Sequence, residues 1–364
     1  INISLDGVDA YHLKSDDLVF ANTPKNIQNL AGLKDASGTK RLIIIQPGDD
    51  VKAKLEAAPN GSWVLILPGE YSVSSAIDLS QKKNLRITGF GWKEGTGYNP
   101  TVIKTDQNIR LFDLGSDSAD NIIFENLLLK QTDTRQGDGI RINNSAGTTN
   151  FYVFRNVGFH FFLVGIRLYG GRGCIVDGCY FDDCYYGVLM NRADSVVIRG
   201  SVFFSCKYYG IDGSAPGGRV VSNSFISCAT GIGIRFYASA IIKPNVVALN
   251  TFKDSDYAMK FYCASAASGS VYPVLVSNCV IIGNSTSAIG INFRGDLGLE
   301  PTAFSNIRFD GTFNYGFYQE PTITTDFTIS LLTGIIADTA TFNAEAFHCP
   351  NAQITEIGHN VGFI

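Results

Sequence analysis

Phe159-His160-Phe161-Phe162-Leu163-Val164-Gly165-Ile166 is answered further along by Phe181-Asp182-Asp183-Cys184-Tyr185-Tyr186-Gly187-Val188, by Phe203-Phe204-Ser205-Cys206-Lys207-Tyr208-Tyr209-Gly210-Ile211, and by Phe225-Ile226-Ser227-Cys228-Ala229-Thr230-Gly231-Ile232. The leading phenylalanines are 22 residues apart at each step. Phe162, Cys184, Cys206 and Cys228 keep the same interval, as do Asn156, Gly178, Gly200 and Ser222, and upstream Phe154, Val176, Ile198 and Val220. Several registers repeating together at a fixed period mark a solenoid, in which each coil buries its apolar face against the next. The segments are short, β-rich and alternating, as in Ser195–Phe204, with Gly, Asn or Asp at the turns. Strand-type coils stacked at about 4.8 Å per rung predict an all-β chain, a right-handed single-stranded parallel β-helix.

Looser coils extend both ways, from Asn126 through Gly139-Ile140, then Asn250-Thr251-Phe252 with Ala258-Met259, Asn278-Cys279-Val280 with Ala288-Ile289, and Phe313 to Phe317. Their variable spacing implies loops inserted at the corners, where function commonly sits. The cysteine column reads as buried thiols packed as small hydrophobes rather than a disulfide or metal framework. No C-x-x-C pair occurs and the chain has only 4 histidines, which argues against a zinc site of the usual spacing.

Composition agrees with this architecture. Hydrophobic residues make up 45% and charged residues only 17%, so the chain folds; 38 glycines against 2 methionines suit strands and turns better than helix bundles. A net charge of −4 gives no reason to expect nucleic acid. No apolar run is long enough for membrane insertion. The chain begins Ile1-Asn2-Ile3-Ser4 without a signal-type segment, so a further N-terminal piece is an open expectation. No cofactor motif or metal cluster is visible.

An open solenoid needs caps. Pro47-Gly48-Asp49-Asp50, then Val51 to Ala58, then Pro59-Asn60-Gly61 predict a short capping helix over 49–58. Trp63-Val64-Leu65-Ile66-Leu67-Pro68-Gly69-Glu70-Tyr71 follows as a strand and turn. This helix-then-strand opening resembles the N-terminal end of the pectate-lyase-like right-handed parallel β-helix superfamily, and within it the viral tailspike-type members. With the repeats, the resemblance covers roughly residues 40–320 and bears on fold more than function. The chain is accordingly divided into a leader over 1–46, the β-helix over 47–320, and a β-rich cap or oligomer contact over 321–364.

Tyr186 and Tyr209 directly precede the repeating glycine, and Tyr185 and Tyr208 stand one place earlier. Grouped on one face they form a platform for sugar rings, or else cover a loop or a neighbouring subunit. Just after the glycine–aliphatic pair come Arg141, Arg167 and Asp212, with Lys260 in a comparable place; cations here suit an acidic polysaccharide, and equally an ordinary solvated face. Asp182 and Asp183 lie one coil above His160 and Phe161, and Asp138 precedes Gly139. Stacked rungs can set two carboxyl groups about 5 Å apart, and next-nearest rungs about 6.5–9.5 Å, the spacings of retaining and inverting glycosidases. Asp182, Asp183, Asp138 and His160 are therefore the catalytic candidates, His160 alternatively being a corner residue satisfied by turn groups. The G-H-G and R-x-K motifs of polygalacturonases are missing, as are the W-x-D-H and R-x-P-x-x-R runs of pectate lyases and the D-P-H of alginate epimerases.

The resemblance implies a polysaccharide-recognising β-helix of tailspike type, binding and in some members depolymerising a cell-surface glycan as a homotrimer, outside the cell or on a virion surface. A secreted polysaccharide lyase, hydrolase or epimerase, and a non-catalytic adhesin, are the alternatives.

Overall fold

A computed structural model describes residues 2–5, 8–12, 42–92, 99–115, 118–132, 134–144, 150–170, 172–191, 193–213, 217–236, 245–263, 274–294, 302–321, 327–354, 357–358 and 360. Every strand from Leu42 to Ile354 joins one 31-stranded sheet. Pairing runs from each coil to the next in parallel, three strands to a turn, as in Cys174–Asp177, Tyr180–Asp182 and Tyr186–Asn191. The chain is thus a right-handed parallel β-helix with three lateral strand columns, first, second and third in chain order.

The helical body begins before residue 47: Leu42–Ile45 already pairs with Trp63–Ile66. Helix α1 (Val51–Ala57) closes this end, burying Val51 and Leu55, and the Asp50 side chain accepts from the Ala53 amide. Beyond residue 321, Phe327–Thr333, Ile336–His348 and Ala352–Ile354 continue the same parallel coils. Asn2–Leu5 and Val8–His12 form an antiparallel pair; the rest of the expected leader up to residue 41 lies outside the described residues.

The 22-residue register has a direct physical cause. Phe159, Phe181, Phe203, Phe225 and Phe252 stack with centroids 4.7–4.9 Å apart and planes within 8° of parallel, the spacing of the strands themselves. Each repeating glycine lies against a ring of the following coil. A Cβ on Gly165, Gly187, Gly210 or Gly231 would come within 2.5–2.7 Å of the ring of Phe181, Phe203, Phe225 or Phe252. Cys184, Cys206 and Cys228 are buried beside this stack, and they are free thiols, as are Cys174, Cys179, Cys279 and Cys349.

Between the first and second columns the chain turns through a single left-handed residue: Asn156, Gly178, Gly200, Ser222, Leu249, Asn278 or Asn306. Beneath that corner a buried polar ladder satisfies the backbone. Ser201 Oγ accepts from the Cys179 amide, Asn223 Oδ1 from the Ser201 amide, and Asn250 Oδ1 from the Asn223 amide, at 2.9–3.1 Å. This arrangement meets the requirement that buried polar groups be paired.

Charges on the outer side of the first column neutralise one another: Glu125 bridges Arg86 (2.6 Å) and Arg155 (2.9 Å), and Asp177 holds Arg199 (2.9 Å). On the second column Trp92 stacks on Tyr180 at 4.9 Å. The third column differs from both.

Candidate functional site

Parallel pairing fixes which side chains share a row on the third column. One row runs Asp78, Asp113, Arg141, Arg167, Leu189, Asp212, Gly233, Lys260, Asn292, Tyr318, one residue per coil. A second row beside it runs Arg110, Asp138, Val164, Tyr186, Tyr209, Thr230, Tyr257, Ile289, Tyr315. Chemistry-bearing residues from well-separated parts of the sequence therefore line one lateral face.

Low on this face lies a cleft of about 630 Å³, lined among others by Arg110, Asp113, Asp138, Arg141, Asn143, Arg167 and Tyr169. Its three guanidinium groups are in different states. Arg167 donates through Nε (2.8 Å) and an Nη (2.9 Å) to the two oxygens of Asp138, which is 6% exposed. This fork raises the Arg167 pKa against the opposing effect of burial. Arg110 holds Asp113 at 3.1 Å. Arg141 has a buried Nε with no acceptor, and its guanidinium forms no ion pair with any described residue.

The tyrosines flank the next coils up. Tyr185 stacks on Tyr208 (5.0 Å) and Tyr186 on Tyr209 (5.9 Å). Tyr208 is 51% exposed, while Tyr185, Tyr186 and Tyr209 are half-buried. Stacked rings one rung apart present an amphipathic surface, suited to apolar C–H faces with polar edges.

At the corner between the second and third columns, His160 pairs in register with Asp182, Nδ1 to Oδ2 being 3.4 Å. Asp183 occupies the left-handed turn and binds Arg135 (2.5 Å) and Lys207 (3.1 Å). Arg135 also donates to the Asp183 carbonyl and lies over the Phe161 ring at 5.1 Å. The two adjacent carboxyls are pushed in opposite directions. Burial, and then the Asp183 charge, raise Asp182 despite His160; burial also acts to raise Asp183, but Arg135 and Lys207 outweigh it and hold it low. One carboxyl biased toward its acid form beside one biased toward its base form is an arrangement competent for acid–base work.

These shifts predict opposite pH dependences. The folded protein holds the Asp182 proton more tightly than the unfolded chain does. That contribution is present below the ordinary carboxylate value of 3.8 and is lost as pH rises through the folded value of Asp182. The Asp183 contribution is present above 3.8 and is lost as pH falls through its folded value. Relative to wild type, Asp182→Asn is expected to gain melting temperature on going from acid to neutral pH, and Asp183→Asn to lose it. Thermal melts across pH check this; shifts of the same sign in both variants would refute it.

Two expected ligand contacts are not open to solvent. Asp212 is 0% exposed and Lys260 9% exposed. The Tyr209 ring fills the space above Gly233, where a Cβ would meet it at 2.7 Å and Asp212 Oδ1 at 3.2 Å. The Lys260 ammonium rests on the Tyr257 ring at 3.7 Å, and burial, with Arg294 nearby, lowers its pKa against the pull of Glu320 and Asp212. Both are therefore internal members of the row. Val164 and Thr230 are buried as well. Arg110, Asp113, Asn143, Tyr169, Arg135 and Lys207 join the face or the corner without having been singled out by sequence. Asp113 to Arg141 spans 28 residues and Arg141 to Arg167 spans 26, so no constant period points to them.

Residues 114–272 match the family described as "Right handed beta helix region". The chain has the fold of the right-handed parallel β-helix superfamily, with a polar third face. Among solved structures it is similar to the endo-xylogalacturonan hydrolase from Aspergillus tubingensis, with 12% identity over 88% of this chain and 98% of that one and a TM-score of 0.62. It is also similar to the full-length tailspike protein 2 from Escherichia coli O157:H7 bacteriophage CAB120, with 12% identity over 86% of this chain, 46% of that one, and a TM-score of 0.60. A third is the catalytic unit of the GH87 alpha-1,3-glucanase from Streptomyces thermodiastaticus strain HF3-3, with 14% identity over 85% and 70% of the two chains and a TM-score of 0.51. At such identities the likeness is one of fold. No curated protein shows significant sequence similarity to the chain. Among the described residues no helix is long and apolar enough to cross a membrane.

Proposed function

We propose that this chain is a polysaccharide-recognising β-helix of the viral tailspike type, with a cell-surface glycan lying along its third-column face. The observation that carries the reading is a single face holding both an arginine-lined cleft of about 630 Å³ and stacked tyrosine pairs. An elongated ligand with polar edges and apolar ring faces complements that combination. The similar folds named above include a hydrolase of xylogalacturonan, a glucanase and a phage tailspike, which supports a glycan as the partner. In this reading the protein works outside the cell or on a virion surface, as a homotrimer.

A second reading, cleavage of the bound glycan, rests on the oppositely perturbed Asp182 and Asp183 beside His160. Here Asp182 is the proton donor, and the enzyme is a secreted hydrolase or lyase, with Asp138 fixing the cleft arginine. Retention on a glycan array, with light scattering for the oligomer, tests the first reading. A monomer that retains no glycan would overturn it. Incubation with acidic and neutral polysaccharides, following reducing ends and the ultraviolet absorbance of unsaturated uronates, tests the second. Reducing ends alone are expected for hydrolysis and both signals for elimination. Tight retention with unchanged chain length would leave the adhesin alternative.

A further inference from the structure

We propose that the Arg141 cleft is a subsite for one carboxylate of the bound glycan, so that the ligand is an acidic polysaccharide anchored by a single charged sugar at this point. The inference rests on the reading above for the ligand being a glycan, and adds its chemical class and the residue that selects it.

Charges inside the cleft do not balance. Three arginines and two aspartates line it. Asp138 commits both oxygens to Arg167, and Asp113 gives Oδ2 to Arg110 while its buried Oδ1 makes no hydrogen bond, to Arg141 or to any other described residue. Arg141 stands between Asp113 and Arg167 in its row and receives neither carboxylate. One positive charge is left over, on the guanidinium with no partner among the described residues. Its neighbour one rung up, about 4.8 Å along the column, is another arginine. A carboxylate entering from the cleft balances the leftover charge and meets the planar fork of donors that a guanidinium offers.

The cleft is also built rather than incidental. Gly137 on its wall has φ +64°, and a Cβ there would meet the Ile109 carbonyl oxygen at 2.0 Å, so two backbone segments are in close contact. The Asp138–Arg167 fork fixes the side next to Arg141. One unbalanced charge fits one monoanionic group better than a run of charges. Tyr186 and Tyr209 belong to coils two and three rungs above Arg141, about 10 and 14 Å away along the column. The carboxylate and the stacked rings of the ligand therefore belong to different sugar units.

The test is titration calorimetry of the intact chain with hexasaccharides of oligogalacturonate, oligomannuronate and hyaluronan, each beside its carboxyl-reduced form. Wild type, Arg141→Gln and Arg141→Lys are compared, with melting temperatures as the folding control. Arg141→Gln is expected to weaken binding of a carboxylated ligand roughly tenfold and to leave the reduced form unchanged. Arg141→Lys keeps the charge without the fork and is expected to fall between. Equal weakening of both forms would show that Arg141 only shapes the groove, overturning the inference while leaving glycan recognition intact. Retention of neutral glycans with no preference for carboxylated ones would overturn it in the same way. Retention of no glycan at all would overturn both.

Discussion

Gly187→Ala is expected to destabilise the protein by about 3 kcal/mol or more, far beyond the usual cost of adding one methyl group. A Cβ at 187 would lie 2.5 Å from Cδ1 of Phe203 and 2.5 Å from the Gly210 carbonyl oxygen. Neither can withdraw. Phe203 is fully buried between Phe181 and Phe225, with centroids at 4.7 and 4.8 Å, so tilting it breaks two stacks. The Gly210 carbonyl belongs to the next strand of the ladder. Phe203→Ala alone is expected to cost about 3–5 kcal/mol through the cavity it leaves. If the ring is what excludes the methyl group, the double variant must be less destabilised than the sum of the two singles. Urea unfolding of the three variants measures this. A Gly187→Ala protein within about 0.5 kcal/mol of wild type would mean that the glycine column has another origin.

The same contact shows why the fold was legible. Phenylalanine and cysteine recur every 22 residues, and the glycine every 21 to 23, because each takes the same place in coils of nearly constant length. The period identifies the solenoid, and the stack explains the period. Where corner loops vary, the period fails. Asn223 and Asn250 perform one task in successive coils, yet lie 27 residues apart. The third-column row was readable in part, since Arg141, Arg167, Asp212 and Lys260 all follow a glycine–aliphatic or similar pair. Whether a member of that row faces water depends on its neighbours, and Tyr209 shields Asp212 in a way no spacing encodes. Pairing is equally invisible in sequence: nothing in the chain order distinguishes Arg167, bound to Asp138, from Arg141, which is not.

That distinction leads to the second large effect. Asp138→Ala is expected to destabilise the fold by about 3 kcal/mol, because it leaves the partly buried Arg167 without its counter-charge. The cost belongs to the stranded cation and not to the lost contact as such. Removing both partners in Asp138→Ala/Arg167→Met is therefore expected to recover most of the stability. The two changes also separate structure from function at the cleft. The single variant adds a second unbalanced positive charge beside Arg141, so carboxylated ligands are expected to be held at least as tightly as in wild type. The double variant restores the original balance of one, and binding should return toward the wild-type value. Were Asp138 instead a catalytic carboxylate acting on the glycan, any depolymerising activity would be absent from both variants, whatever their stability. Denaturant unfolding and reducing-end assays on the same two proteins thus separate a carboxylate that holds an arginine in place from one that performs chemistry.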